Sequence, residues 1–489
     1  MVGTTPTRKD GAVPLSDLES ACTTPRHTAA DRTELFWSGV RSVSTGHVAL
    51  SWSSRDSLAR HQASGIAHPM SIRLGTQDEA LDRVIARARR LAALGAIHLW
   101  RTMTSEQIAA VIGSPSMSSS RSVDLRLLLT AGLVQRGAAF AGERRAIAPT
   151  LWRPDVADAA LHFLDQLSYA EWLGVCACQK WSYGAQAAWH NLLVTELSLR
   201  VAEYTPIGTV FGELLASARL LFPFDERFAK SRRSADAVWV RDDGLRIVVE
   251  ATATAGSALR ERIEHWVDAL LVDTERSTVV CFVDVSDPDN DRSRPDHLVR
   301  RVVADAVTAS PERVKAKIAE RVCFARYRDW FPGPGLVHPS FLGLRVERPT
   351  GGPGARWEPV DLLDPYAVVF SPVDPVAARA PIVHAGDVYG VPHWLRGPGL
   401  DLEAVVRRLA GFPPPERTTP ERRAELVARF AGRERRADLG PGAQDGHGTS
   451  SATIPTGSLS ATARHPRPHA LGSRGVGGER GSQSPGQEG

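Results

Sequence analysis

The chain has 489 residues, 43% of them hydrophobic, which is enough for two or three domains with ordinary buried cores. The net charge is +4, and the five scattered cysteines exclude a disulfide framework. No window approaches the roughly 18 uncharged apolar residues of a membrane helix, and the N-terminus lacks a signal-peptide core. We therefore expect a cytoplasmic protein that does not span a membrane.

Both ends of the chain have compositions typical of disorder. We expect residues 1–75 to form an N-terminal extension that is partly disordered. No aromatic residue follows Phe430, and the stretch Gly440–Gly489 is rich in Gly, Ser, Pro, Thr and His. Such a composition buries too little apolar surface to offset the entropy lost on ordering. We therefore predict disordered termini, including a tail over residues 437–489.

Three helices are predicted in the first ordered part of the chain. The first has a helical apolar period through Leu81, Val84, Ile85, Ala88 and Leu91, with arginines on its other side.

The second and third helices have clear end signals. MTSEQIAAVIG offers Thr104 as an N-cap, Gln107 three residues later and Gly113 as a stop. After a polar spacer, RSVDLRLLLTAGLVQRG forms a third helix that ends at Gly132. Its predicted apolar face consists of Val123, Leu127, Leu128 and Ala131.

A hairpin completes this segment, because residues 133–136 and 145–148 flank a loop that contains glycine. Helix, helix, turn, helix and hairpin is the order of a winged helix-turn-helix, whose third helix enters the DNA major groove. We predict such a DNA-binding domain over residues 76–155. From Leu81 to Thr150 there are ten arginines and four acids, a balance that suits phosphate contact.

The expected DNA contacts lie at the start of the third helix and on the wing. Side chains and the helix N-terminus can reach bases and phosphates there. These residues are Ser119, Ser120, Arg121, Arg126, Arg136, Arg144 and Arg145. A dimerisation module with the same order of elements is the alternative interpretation.

A second functional pattern is SADAVWVRDDGLRIVVEATAT, Ser234–Thr254, in which two β-rich runs surround Arg-Asp-Asp-Gly. The loop length decides its chemistry. A three-residue loop with Gly244 in the left-handed region places Asp236 opposite Glu250 on one face, together with Thr252. A two-residue loop would put the two acids on opposite faces.

In the first register the two carboxylates begin about 5 Å apart at Cβ and repel each other, so a cation between them is expected. Mg²⁺ or Mn²⁺ is the expected occupant, and such an ion could activate water against a phosphate. The structural alternative is a strand-start cap at Asp236 and an edge-strand charge at Glu250.

The neighbouring elements predict an α/β domain with a mixed sheet over residues 156–345. A helix in AWHNLLVTELSLRVAE pairs Glu196 with Arg200, as a surface ion pair. The helix Ser257–Val272 and the apolar strand TVVCFVDV follow the hairpin, and RVCFARYRDWF is predicted as a further strand at a sheet edge. Residues 346–436 are Pro-rich and end in two helices with basic faces.

The motifs LLLTAGLVQRG, SADAVWV and RIVVEAT together resemble the replication-relaxation family of actinobacterial plasmids and integrative elements, over about Leu81–Asp284. The resemblance implies a restriction-endonuclease-like fold for the α/β domain. It also implies that Asp236 and Glu250 take the places of the two motif acids. Ser234 and Ala235 stand where a proline often precedes the first acid.

One position departs from the nuclease pattern. Nucleases of this fold carry Lys two residues after the second acid, whereas this chain has Thr252, which supplies no positive charge. Arg260 or Arg262 on the next helix is the candidate substitute, and the resemblance suggests Glu196 as a further ligand. The catalytic candidates are Asp236, Glu250, Thr252 and Arg260, and the metal-ligand candidates are Asp236, Glu250 and Glu196.

These patterns favour a DNA-binding protein of a mobile element, acting in plasmid replication, transfer or its control, with a nuclease-like domain whose activity the motif leaves open. One alternative is a Mg²⁺-dependent nuclease or nickase that uses Asp236 and Glu250. Another is a winged-helix transcriptional regulator whose α/β half senses or dimerises. The expected partners are double-stranded DNA, replication or conjugation proteins, and a second copy of the chain.

Overall fold

The structure of the protein is a computed structural model. It describes residues 11–21, 32–38, 48–65, 72–141, 145–182, 188–222, 225–229, 231, 233–286, 295–311, 317–350 and 356–396. All of them belong to the first of the two units into which the chain divides, Met1–Val427. The second unit, Ala428–Gly489, lies outside the described residues, as do both predicted C-terminal helices, the predicted tail and Arg144.

The described residues form both helices and strands. The helices are Leu15–Ala21 (α1), Arg55–Ser64 (α2), Gln77–Ile85 (α3), Ala88–Trp100 (α4), Ser105–Ile112 (α5), Val123–Thr130 (α6), Asp158–Leu164 (α7), Tyr169–Cys176 (α8), Ala188–Tyr204 (α9), Ala218–Leu221 (α10), Glu226–Ala229 (α11), Ser257–Val272 (α12), Pro295–Ala309 (α13), Tyr327–Trp330 (α14) and Pro375–His384 (α15). The strands are Val13–Pro14 (β1), Val48–Ser53 (β2), Met103–Thr104 (β3), Val134–Ala141 (β4), Arg145–Pro154 (β5), Ile207–Gly212 (β6), Ala237–Arg241 (β7), Arg246–Thr252 (β8), Thr278–Asp284 (β9), Val322–Arg326 (β10), Leu336–Val337 (β11), Arg345–Pro349 (β12) and Trp357–Asp361 (β13). None of these helices combines the length and the apolar character that a membrane crossing needs.

Seven strands form the main sheet, in the order β13, β12, β10, β9, β8, β7 and β6. Strands β8, β9 and β10 are parallel, and the other neighbours are antiparallel. The predicted α/β class with a mixed sheet is therefore confirmed. Strands β12 and β13 carry the sheet past residue 345, where we expected the domain to end. Because β12 covers β10, the prediction of a sheet edge in RVCFARYRDWF is wrong.

The main sheet carries helices on both faces. In the β7–β8 hairpin, Trp239 is paired with Ile247, so alternation along the strand puts Trp239 and Glu250 on opposite faces. Helix α9 covers the first face, where the Trp239 Nε1–H donates to Ser198 Oγ at 2.9 Å. Helix α12 covers the second face, where the Trp266 Nε1–H donates to Glu250 Oε1 at 2.6 Å. The acid pair therefore faces α12 and not α9.

Helices α3 to α6 and a small sheet form the segment in which we predicted a DNA-binding domain. The expected order is present: α4, the short strand β3, α5, α6 and the hairpin of β4 and β5. Strand β3 pairs with β5, and β2 from the N-terminal extension pairs with β4, which gives the order β2, β4, β5, β3. Thr104 and Gln107 form the predicted capping box of α5, and Gly113 ends it with φ +74°. Both hairpin strands are longer than predicted.

The prediction of one helix over residues 81–91 is wrong, because the chain breaks between α3 and α4. Arg87 is extended, with φ −141° and ψ 113°. The Arg90 guanidinium explains the break. It donates to the Arg83 carbonyl, in the last turn of α3, and to Asp124 Oδ1 of α6. Arg90 thus stabilises the turn between α3 and α4, and this turn is incompatible with one continuous helix.

The predicted apolar face of α6 is also wrong in part. Leu125, Leu128 and Leu129 are buried, whereas the side of the helix with Val123 faces outward and Val123 is 56% exposed. Asp124 is the physical reason, since it turns inward to meet Arg90 and so sets the rotation of the helix.

Helix α4 joins the N-terminal part to the main sheet. Every residue from Arg90 to Trp100 is buried, which is typical of a helix with packing partners all round. A Cβ atom at Gly212, at the end of β6, would lie 2.6 Å from the Leu99 carbonyl oxygen and 2.8 Å from the Trp100 ring. The two parts therefore share one hydrophobic core.

The hairpin turn has the three-residue loop on which the predicted register depends. Arg241 N–H donates to the Leu245 carbonyl at 2.9 Å, and Gly244 has φ +93°. The buried Arg241 side chain holds the turn, since it donates to Asp243 and to the carbonyls of Leu362 and Val368. This register is the one that places Asp236 opposite Glu250.

We predict that Gly244→Ala destabilises the protein much more than Gly65→Ala does. Both glycines have positive φ, +93° and +68°, which costs a residue with a Cβ atom about 1–2 kcal/mol. At Gly65 the added carbon meets nothing within 4 Å, whereas at Gly244 it overlaps the Ala378 carbonyl. Urea unfolding of the two variants measures the difference. Equal losses in the free energy of unfolding would show that the packing of α15 on the turn contributes nothing.

Candidate functional site

The hairpin places Asp236 directly opposite Glu250. Ala237 is paired with Val249, and the Asp236 N–H donates to the Val249 carbonyl at 3.0 Å. The Asp236 carboxylate turns onto the neighbouring strand, where Oδ2 accepts from the Ala251 N–H at 2.7 Å. Asp236 therefore caps the end of the ladder, and it is half-buried beside the second acid.

Both oxygens of Glu250 accept hydrogen bonds from α12. Oε1 accepts from the Trp266 indole N–H at 2.6 Å, and Oε2 accepts from Arg262 Nη1 at 3.2 Å. Glu250 is only 2% exposed. It lies inside the sheet on β8, between β7 and β9, and so it is not an edge-strand charge.

Thr252 and Arg260 are placed differently from the acid pair. Thr252 is fully buried, and its hydroxyl donates to the Val283 carbonyl on β9 at 3.3 Å. Arg260 points along the surface of α12, where it pairs with Glu264 at 3.7 Å. Of the two candidate arginines, Arg262 is the one that the structure brings to Glu250.

The structure does not bring Glu196 to Asp236 and Glu250. On α9, Ser198 bonds to the sheet, and Glu196 lies on the other side of the helix, where it accepts from Gln107, Arg32 and Arg200. The predicted pair of Glu196 with Arg200 is present at 3.1 Å, but both side chains are buried, so the expectation of a surface ion pair is wrong. The N-terminal extension causes this burial, because it inserts Arg32.

Sequence patterns did not select Glu213, which lies beside the acid pair. Gly212 is paired with Ala237, so Glu213 leaves β6 next to Asp236. Its Oε2 accepts from Asn191 Nδ2 at 2.9 Å. Burial raises the pKa of Glu213, the Arg101 charge opposes this, and the Asp236 charge adds to it. The apolar run IGTVFG is the sequence signal that could have identified Glu213, because it predicts a strand that ends at this acid.

Burial raises the pKa of both hairpin acids, and the Arg262 charge opposes this rise at each of them. Burial raises the pKa of Asp236 to about 6 and that of Glu250 to about 8. For Glu250 the Asp236 charge adds to burial, and Arg262 and Trp266 oppose both. Burial also lowers the pKa of His190 to about 4, and Arg262 contributes to this.

The acid pair does not fit a resident Mg²⁺ or Mn²⁺ ion. Among the described residues, no three His, Cys, Asp or Glu side chains stand close enough together to hold a metal. Both oxygens of Glu250 and one of Asp236 already accept hydrogen bonds, one of them from a guanidinium cation. A divalent ion at Glu250 would have to displace these donors.

Three of the seven candidate DNA contacts lie at the N-terminal end of α6. Ser119, Ser120 and Arg121 are exposed in the turn before the helix. Arg126 and Arg136 are half-buried, and burial lowers the pKa of Arg136. The structure describes only the backbone of Arg145, which is paired with Ala141 near the tip of the hairpin.

One further exposed arginine, Arg89, contacts the first turn of α6. Arg87 and Arg89 are exposed at the break between α3 and α4. Arg89 Nε lies 2.9 Å from Asp124 Oδ2, in the first turn of α6. The exposed arginines of this surface therefore come from two segments, which the fold brings together.

The C-terminal half of α6 is less accessible. Helix α3 lies against it, with a cavity of about 220 Å³ between them that Arg83, Arg126 and Thr130 help to line. Gln77 Nε2 donates to the Ala131 carbonyl at 3.2 Å, and Arg55 Nε donates to the Thr130 carbonyl at 2.9 Å. Only the N-terminal end of α6 is open to a large partner.

Comparison of the chain with family models, curated proteins and solved structures gave no match.

We predict that Glu250→Gln changes how stability depends on pH. The pKa of Glu250 rises from 4.5 to about 8 on folding, so within this window the folded chain binds a proton that the unfolded chain has lost. Stability falls as pH rises through the window. The variant loses this dependence, so its stability relative to the wild type should increase with pH.

Urea unfolding at several values between about pH 5 and about pH 8 measures this difference. Glu264→Gln is the control, because this glutamate lies on the exposed surface of α12. Parallel curves for the wild type and Glu250→Gln would contradict the raised pKa.

Proposed function

We propose that the protein binds double-stranded DNA through the N-terminal end of α6. The observation that carries this proposal is the exposed turn Ser119–Arg121, with the exposed Arg89 held at Asp124 in the first turn of α6. Serine hydroxyls, backbone N–H groups at a helix start and arginines are the groups that contact phosphates and base edges. Val123, exposed on the same end, could contact a thymine methyl group.

The topology supports a winged helix-turn-helix interpretation of this region. Helix α4, strand β3, helices α5 and α6, and the β4–β5 hairpin follow in that order, and β3 joins the hairpin in one sheet. In such modules the last helix enters the major groove with its N-terminal residues at the bases, and the wing lies on the backbone. Helix α3 limits base contact to the N-terminal end of α6.

We also propose that the α/β domain has a restriction-endonuclease-like fold but does not hydrolyse DNA. Helix α9, the antiparallel strands β6, β7 and β8, helix α12 and the parallel strand β9 form its core, and the acid pair lies on one face of the hairpin. The resemblance of the motifs to the replication-relaxation family adds the proposal that the DNA belongs to a plasmid or integrative element. The role would then be in replication, transfer or its control.

The side chains at the acid pair support the proposed absence of turnover. Thr252 replaces the expected lysine and is buried against the Val283 carbonyl. Glu250 is hydrogen-bonded by Trp266 and Arg262. Position 252 therefore supplies no cation to orient or activate water, a contribution that is typically worth about 10²–10⁴ in rate.

We predict that Arg121→Ala weakens binding to a 30-base-pair duplex of mixed sequence. The loss of one phosphate contact should reduce the slope of log K against log salt by about 1. Fluorescence anisotropy at several salt concentrations measures both quantities. Arg379→Ala is the matched control, because it removes an exposed arginine on α15. Equal affinities for Arg121→Ala and Arg379→Ala would remove α6 from the interface.

We also predict that the wild type does not nick supercoiled plasmid in the presence of Mg²⁺ or Mn²⁺, because the acid pair lacks an open ligand set and a cation at position 252. Agarose electrophoresis of the plasmid after incubation measures this. Nicking that disappears in Asp236→Asn would establish the nuclease alternative instead.

A further inference from the structure

The cation beside the acid pair is a side chain of the protein itself, Arg262. Glu250 is enclosed by the sheet and α12, and a buried carboxylate needs a compensating positive charge or a proton. Arg262 Nη1 supplies the positive charge at 3.2 Å from Glu250 Oε2. The Trp266 N–H occupies the other oxygen at 2.6 Å. Each oxygen of the Glu250 carboxylate therefore has a hydrogen-bond donor within the protein, without an added ion.

The remaining oxygen atoms of the site are also partly used. Asp236 Oδ2 accepts from the Ala251 N–H, and Glu213 Oε2 accepts from Asn191. The Thr252 hydroxyl is committed to the Val283 carbonyl. A divalent ion that bound Glu250 would have to displace Trp266 or Arg262 from its oxygens, and it would meet the like charge of Arg262 there.

We propose that Arg262 is the resident cation of the acid pair and that its guanidinium closes the pair to Mg²⁺ and Mn²⁺. Arg262 lies where an ion shared by the acids would contact Glu250, and it is fixed by its position on α12. The pair is then a structural element of the nuclease-like domain. Removal of Arg262 leaves two facing carboxylates with no fixed cation, and this opens a site for a divalent ion.

The position of Arg262 allows this removal. Its side chain is 29% exposed, and it extends from the surface of α12 to the acid without filling the core. Arg260 offers a matched control two residues earlier on the same helix, since it is 41% exposed and pairs with Glu264. Both substitutions remove one arginine from α12, but only one removes the cation from Glu250.

The experiment uses the full chain and Mn²⁺ as the probe. Bound Mn²⁺ is counted by electron paramagnetic resonance, and the thermal midpoint Tm is followed with and without the ion. We expect no Mn²⁺ binding that depends on Asp236 in the wild type, in Arg260→Ala or in Arg262→Lys. Arg262→Ala should have a lower Tm than Arg260→Ala. Saturating Mn²⁺ should raise the Tm of Arg262→Ala again, and this rise should be absent in Arg262→Ala/Asp236→Asn.

Two results would overturn the proposal. One is stoichiometric Mn²⁺ binding by the wild type that Asp236→Asn abolishes, because the ion would then coexist with Arg262. The other is an Arg262→Ala protein that matches Arg260→Ala in Tm and does not respond to Mn²⁺. If Arg262→Ala does not fold, Arg262→Gln replaces it in both measurements. The proposal rests on the nuclease-like interpretation of this domain but not on DNA binding, which the anisotropy experiment tests separately.

Discussion

The left-handed conformation of Gly244 is the constraint on which the acid site depends. It allows a three-residue loop, and the loop fixes a register in which even-numbered residues of β7 and β8 face α12. A change of one residue in the loop would move Glu250 to the α9 side, away from Arg262 and Trp266. Arg241 and α15 hold this turn from outside the hairpin. The chemistry at one end of the ladder is thus set by backbone geometry at the other.

Local signals in the sequence were sufficient for much of this structure. The hairpin, the capping box of α5 and the helix Ser257–Val272 each depend on residues within a few positions of one another, although the sequence left two loop lengths open for the hairpin register. The failures all involve partners that are distant along the chain. Arg90 breaks a helix because Asp124 is near it in space, and Arg32 buries Glu196 from a position more than 160 residues away. Amphipathic periodicity cannot report such contacts, because it records only which positions share a face.

The same limit explains what was missed at the site. Helical spacing identified two arginines on α12 but could not choose between Arg260 and Arg262, since the choice depends on how α12 is rotated on the sheet. Glu213 was missed because its relation to Asp236 is created by the pairing of Gly212 with Ala237. The buried helix α4 then connects this region to the N-terminal part, since its end packs on Gly212. The surface at α6 and the acid pair are therefore connected through one hydrophobic core.

A pair of facing carboxylates inside a sheet is stable only with a cation or a proton beside it, and the identity of that cation decides what the pair can do. An exchangeable metal ion brings water and open coordination positions, which are the requirements of hydrolysis. A guanidinium fixed on a helix brings hydrogen bonds and no exchangeable ligand. In this chain the hairpin positions two acids, Arg262 pairs with Glu250, and Thr252 stands where a nuclease would have a lysine. In the function that we propose, this arrangement holds the sheet and α12 together, and the exposed end of α6 contacts the DNA.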